Sequence, residues 1–322
     1  MENIPQRSIK HIVISGGAEW GFTGFGILYE AIETGFVNME DIESMYMCSA
    51  GSIIGCMLAL KIDHKIIHDY IIKRPWEIVC KQNKYSVLDI YDTKGLIHIG
   101  FFENMFSSLL KSVDLPVDIT LDALYEYNHI DIHIFTTEIN ACRLIDISHK
   151  THPKWRLIDA IYASSSVPIV FSPIIRDNDC YMDGGILLNY PITECCKHVE
   201  NLSEVFGISL GNYDAAMEKD VITSQSNIMD VVSIVISKII KYNKLFSNHK
   251  LQYIPYQIHC IQNTTIESCM DALYNKGFRK TLIYNGIDRM KMELYKWFSK
   301  ERNNEENLEN PSGNDIENRS ID

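Results

Sequence analysis

Ser44-Met45-Tyr46-Met47-Cys48-Ser49-Ala50-Gly51-Ser52-Ile53-Ile54-Gly55 is the segment from which the fold is read. Apolar residues run into a serine. A small residue and a glycine follow, and then a stretch of Ile, Cys, Met, Ala and Leu that suits a buried helix. Strand, sharp turn and helix together lift a serine hydroxyl clear of the backbone. They also set it at a helix N-terminus, where unbonded N–H groups favour negative charge. Serine is equally a preferred helix cap, its oxygen accepting one of those N–H groups. The segment alone therefore leaves two roles for Ser49, nucleophile and cap, and its neighbours in the sequence must choose between them.

Upstream, His11-Ile12-Val13-Ile14 is a β-branched strand candidate. It stops at Ser15-Gly16-Gly17-Ala18-Glu19-Trp20-Gly21, after which Phe25, Leu28, Tyr29 and Ile32 recur at helical spacing. A glycine-rich turn between strand and helix points several N–H groups at one place, as an anion site does. An oxyanion, a nucleotide phosphate and a plain tight turn all fit it, although no lysine-containing P-loop string and no G-x-G-x-x-G is present. Downstream, Tyr181-Met182-Asp183-Gly184-Gly185-Ile186 sets a carboxylate before two glycines. Asp-Gly is a hairpin signal. A serine nucleophile also needs a base within hydrogen-bond reach, and a carboxylate in a dry site can be one.

Taken in order, these segments resemble the patatin-like phospholipase family. Gly16–Gly21 resembles its glycine-rich oxyanion loop, Ser49-Ala50-Gly51-Ser52 its nucleophile elbow, and Asp183-Gly184-Gly185 its aspartate motif, with Asn189-Tyr190-Pro191-Ile192 following. Ala163-Ser164-Ser165-Ser166-Val167-Pro168 through Pro173, and Thr136-Thr137-Glu138-Ile139-Asn140, are similar to two further family segments. The likeness covers roughly residues 8–210. It implies a lipid acyl hydrolase of phospholipase A or lysophospholipase type, with Ser49 as nucleophile and Asp183 as base. Gly16, Gly17 and Ala18 would form the oxyanion hole, and Gly51, Gly184 and Gly185 would support the elbow and the aspartate loop. No metal or cofactor is implied, and the expected partner is a lipid or membrane-surface substrate rather than nucleic acid.

The chain departs from the family pattern at three places. Ala18 replaces a loop glycine and fits easily only if its φ is negative. Trp20 replaces a basic residue. Met47 replaces the first glycine of G-x-S-x-G, so its side chain must point away or strain the turn. These changes leave room for a catalytically silent relative that binds lipid or a partner. A Ser-Asp-His esterase is a further alternative, with His249 or His259 as the third member.

Alternating elements predict a three-layer α/β/α domain with a mostly parallel central sheet over 1–300. The expected order is strand 10–15, helix 21–34, strand 44–48, helix 50–62 and a helical stretch over about 64–112. Strands 130–138 and 142–147, helix 156–164, strands near 173–182 and strand 204–210 come next. Helix 227–246, strand 253–262 and helices from 265 to 299 complete it. Helix 227–246 is amphipathic with lysines near its end, a pattern shared by core-facing and membrane-surface helices. The segment 301–322 is acidic, rich in Asn and Glu, and expected to be disordered.

With 46% hydrophobic residues and a net charge of −12, the chain reads as a folded globular protein with weak attraction to anionic surfaces. A polar start, the lack of an apolar run of about eighteen residues, and nine cysteines without a C-x-x-C pair predict reduced thiols. They predict a cytoplasmic protein, peripheral on membranes if it meets them. Cys48 is expected to face away from the elbow.

Overall fold

The structure, a computed structural model, describes residues 8–210, 221–226, 253–260 and 266–309, with isolated positions between 231 and 238. Its strands are β1 (His11–Ile14), β2 (Ser44–Cys48), β3 (Gly95–Ile97), β4 (Asp131–Glu138), β5 (Arg143–Ile147), β6 (Ile169–Phe171), β7 (Ile174–Arg176), β8 (Asp179–Asp183), β9 (Val205–Leu210) and β10 (Tyr256–Cys260). The helices are α1 (Gly21–Glu33), α2 (Ala50–Ala59), α3 (His64–Lys73), α4 (Trp76–Gln82), α5 (Ile90–Thr93), α6 (Gly100–Ser112), α7 (Leu121–Asn128), α8 (Leu157–Ser165), α9 (Ile192–Cys196), α10 (Ile266–Tyr274) and α11 (Lys276–Glu309).

The main sheet runs β10-β9-β1-β2-β4-β8-β7, with β5 also paired to β4. From β10 to β4 every pairing is parallel; β5, β7 and β8 are antiparallel additions. Strand residues alternate between the two faces. Ile12, Ile14, Met45 and Met47 enter the larger core beneath α1, α2 and α8, whereas Val13 and Tyr46 enter a smaller one with Ile192 and Cys195 of α9. These are the three layers expected.

One detail of register places the site. β2 pairs with β4 as far as Cys48↔Phe135, and β8 takes over with Asp183↔Thr136. β5 occupies the opposite edge of β4 across both stretches. The two strands therefore meet end to end along one edge of β4, β2 running parallel to it and β8 antiparallel. Their carboxyl ends, Ser49 and Asp183, arrive at the same point.

Several elements depart from expectation. β3 and β6 form a separate two-stranded sheet, and α7 fills a stretch to which the sequence reading assigns no element. Thr120 caps α7 by accepting the Ala123 N–H. α11 continues to Glu309, into the segment expected to be disordered, in keeping with the helix propensity of Glu, Arg and Leu; 310–322 and most of helix 227–246 lie outside the described residues. α11 crosses α1 where Gly26 and Gly286 leave no side chain between the backbones. Arg279, 2% exposed, donates to the Ala272 and Leu273 carbonyls at the end of α10 and to the Ile72 carbonyl at the end of α3. It thereby satisfies orphan carbonyls at two helix ends. No disulfide joins any of the nine cysteines. Among the described residues no helix is long and apolar enough to cross a membrane.

On the small-core face, His133 stacks on Tyr46 at 4.3 Å, with Nδ1 2.7 Å from Asp146 Oδ2 and Nε2 3.3 Å from Asp131 Oδ2. Burial opposes its charge, but hydrogen bonds and attraction from Asp131 and Asp146 prevail and raise its pKa to about 9. A pKa raised by folding stabilises fully below the unfolded value of about 6.5 and ceases to do so as the pH passes the folded value. Unfolding free energy is expected to fall by on the order of 2 kcal/mol between pH 6.5 and 9.5. Urea titrations of wild type and His133→Gln at several pH values check this. An equal slope in the variant would mean that the histidine cluster is not its source.

Candidate active site

Ser49 joins β2 to α2 at φ 48° and ψ −125°, a backbone conformation that costs a residue with a Cβ about 1–3 kcal/mol. The surroundings hold it there. Its N–H donates to Ser164 Oγ at 2.8 Å, and that hydroxyl donates to the Phe135 carbonyl at 2.6 Å. Two residues on, a Cβ on Gly51 would come within 2.6 Å of the Ile14 carbonyl oxygen, so only glycine lets α2 start this close to β1. The bulk of Met47 is accommodated inward. Its sulfur occupies the space a side chain on Gly55 would need, so the elbow keeps its shape without the first glycine of the motif.

Although Ser49 stands at the N-cap of α2, its side chain makes no cap hydrogen bond. Its Oγ instead donates to Asp183 Oδ2 at 2.6 Å, and Asp183 Oδ1 accepts the Gly185 N–H at 2.7 Å. The Asp183 N–H in turn donates to the Ser166 carbonyl at 3.0 Å. Ser49 is 8% exposed and Asp183 7%, so the pair is largely shielded from water. Low local dielectric strengthens a hydrogen bond to a carboxylate. Cys48 does not face away as expected, because its Sγ lies against Gly184 in the aspartate loop.

The loop Gly16–Gly21 wraps the start of α2, with Gly16 against Ser49 and Gly21 against Ala50. Among the described residues nothing accepts from the N–H groups of Gly17 and Ala18. The far end of the loop is held by Glu19, a buried carboxylate that accepts from Ser268 Oγ and Cys269 Sγ of α10. Trp20, in place of the family's basic residue, packs against the main core.

Ala18 has φ 48°, so the condition for an easily tolerated methyl is not met. The left-handed region costs such a residue about 1–2 kcal/mol, partly offset in a glycine by its looser unfolded chain. Ala18→Gly is expected to stabilise the protein by about 0.5–1 kcal/mol, with turnover equal or higher. A denaturant midpoint that shifts downward would refute this.

The chain brings Ser49, Asp183, Gly16, Gly51, Gly184 and Gly185 together. It does not bring His259 to them. β10 is three strands from β2, about 14 Å, and the His259 ring packs edge-on to Tyr190. His249 lies outside the described residues. Ser164 and Ser166 belong to the Ala163–Pro173 run that is similar to a family segment, but the run does not tell which hydroxyl or carbonyl turns toward the elbow.

A family model for patatin-like phospholipases matches residues 12–195. The chain belongs to the patatin-like phospholipase family. Two viral proteins are similar to this chain. An uncharacterized protein of Acanthamoeba polyphaga mimivirus is 26% identical over 213 residues, covering 66% of this chain and 69% of that protein. A probable lipid hydrolase of Invertebrate iridescent virus 6 is 25% identical over 207 residues, covering 61% and 66%. Among solved structures, VipD from Legionella pneumophila aligns with a TM-score of 0.50 at 15% identity, over 91% of this chain and 67% of that one. That likeness is one of fold. Within the patatin-like region matched by the family model lie Gly16, Gly17, Ser49, Asp183 and Asn189.

Proposed function

We propose that this chain is a lipid acyl hydrolase of phospholipase A or lysophospholipase type, working through Ser49 and Asp183. The observation that carries the reading is the 2.6 Å hydrogen bond from Ser49 Oγ to Asp183 Oδ2 at the head of α2. Membership of the patatin-like family supplies the substrate class.

Ser49 Oγ attacks the ester carbonyl carbon while Asp183 takes its proton. The carbonyl oxygen becomes an oxyanion held by the N–H groups of Gly17 and Ala18, aided by the N-terminus of α2. Collapse breaks the bond to the alcohol, which leaves with the proton from Asp183. Asp183 then deprotonates a water that attacks the acyl-enzyme, and the fatty acid departs as Ser49 recovers its proton. Each proton transfer has a named donor and acceptor, so the scheme is complete with protein groups and water.

The test is to incubate the purified protein with vesicles of phospholipid, lysophospholipid and triacylglycerol and to measure released fatty acid by mass spectrometry. A fluorophosphonate label run in parallel detects an activated serine. Release from at least one lipid is expected. No release and no labelling would make the chain a catalytically silent member of the family.

A further inference from the structure

Asn189 lies on the loop between the aspartate motif and α9, and its side chain sits between the two halves of the candidate site. The Gly16 N–H donates to the Asn189 main-chain carbonyl at 3.0 Å, and Asn189 Nδ2 donates back to the Gly16 carbonyl at 3.0 Å. The same carboxamide lies against Gly185. A Cβ there would come within 2.9 Å of Asn189 Oδ1, and one on Gly16 would overlap that oxygen. Both glycines thus leave room for this one side chain.

We propose that Asn189 is a positioning residue that aims the oxyanion-binding Gly17 N–H. This rests on the acyl-hydrolase reading above. A trans peptide is planar, with its C=O and the following N–H pointing in opposite directions. Among the described residues no peptide bond is cis. Holding the Gly16 carbonyl therefore sets where the Gly17 N–H points. The need for such a hold is particular to this link. Gly16 and Gly17 both lack a Cβ, so sterics alone do not choose between the two orientations of the peptide between them.

Ser15 Oγ also reaches the Gly16 carbonyl, at 2.9 Å, but its single proton is shared with the Leu210 carbonyl at 3.2 Å. The Asn189 amide is the donor committed to this carbonyl. With it lost, the peptide turns over and the oxyanion site loses one donor, while Ser49 and Asp183 keep their hydrogen bond. A reversed Gly16–Gly17 peptide would direct a carbonyl oxygen where the oxyanion forms.

Asn189→Asp tests this, because it keeps the shape of the side chain and removes the donor; Asn189→Ala removes both. In Asn189→Asp, kcat is expected to fall about 100-fold, the cost of one oxyanion donor, with KM changed less than about threefold. Fluorophosphonate labelling should slow in step. In Asn189→Ala, which places no new charge beside Asp183, the pH midpoints of kcat should stay in place, and the unfolding temperature should stay within a few degrees. A crystal structure of Asn189→Asp reads the Gly16–Gly17 peptide directly and is expected to show it reversed. A kcat within threefold of wild type overturns the proposal. So does a loss of kcat that tracks a large fall in unfolding temperature, or an unreversed peptide in the variant. If the wild-type protein hydrolyses nothing, the functional reading has failed on its own, and peptide orientation in the variant still decides the role of Asn189.

Discussion

Ser49→Ala is expected to abolish hydrolysis, with turnover reduced by a factor on the order of 10⁴–10⁶. The only group removed is the hydroxyl that donates to Asp183 Oδ2. Alanine at 49 keeps the N–H that Ser164 holds and bears the same strain at φ 48°. The fold should therefore survive, and circular dichroism and an unfolding temperature near wild type establish that the loss is chemical. A Ser49→Gly variant sharpens the comparison. It is equally inactive, yet it escapes the left-handed penalty and is expected to be about 1 kcal/mol more stable than Ser49→Ala. Fluorophosphonate labelling must vanish in both. Hydrolysis in Ser49→Ala near the wild-type rate would mean that another residue is the nucleophile and that the 2.6 Å hydrogen bond is structural.

The parts of this site that could be read from sequence are those where backbone geometry demands a residue type within a few positions. Ser44–Gly55 declares a strand, a turn and a helix in twelve consecutive residues, and β2 begins and ends where periodicity places it. Gly51 is required by a close backbone approach and Gly16 by the side chains of Asn189 and Ser49 packed against it, and such needs leave glycine in the sequence. What could not be read depends on pairings across long stretches of chain. Nothing near residue 49 announces that β8 will continue the edge of β4 where β2 stops, which is what brings Asp183 to Ser49 across 134 residues. β3, at three residues, is too short to show any period. The two hydrogen bonds between Asn189 and Gly16 span 173 residues, and an asparagine two residues before a proline reads locally as a turn.

The three departures from the family pattern illustrate the same divide. Met47 looked like a threat to the elbow, but Gly55, eight residues later on α2, takes up its bulk. That compensation could have been suspected from sequence only by someone who already knew that the two positions touch. Ala18 is the reverse case. The sequence poses only the condition that its φ be negative, and its φ of 48° fails that condition. Trp20 exchanges a charge for core contact, and the loop is tied down by Glu19.

Asp183→Asn is the second substitution with a very large expected effect, and hydrogen bonding determines its outcome. Asp183 Oδ1 accepts the Gly185 N–H at 2.7 Å, so the amide oxygen of an asparagine must take that position. Its NH₂ then falls where Oδ2 stood, facing Ser49 Oγ. A donor now occupies the place of the base, and the serine proton has no acceptor there. The side chain has the same shape, and its main-chain N–H still donates to the Ser166 carbonyl, so the fold is expected to hold within about 1 kcal/mol. Turnover should fall by a factor on the order of 10⁴, as for loss of the acidic member of a serine hydrolase site. Labelling by a fluorophosphonate should slow strongly without disappearing, because Ser49 remains. His249→Ala, measured beside it, separates the two-residue scheme from a triad. Under the dyad it retains most activity, and only the aspartate variant is impaired. If Asp183→Asn keeps more than about a tenth of wild-type turnover while His249→Ala abolishes it, the base is the histidine, and the aspartate only fixes the shape of the loop around Gly184 and Gly185.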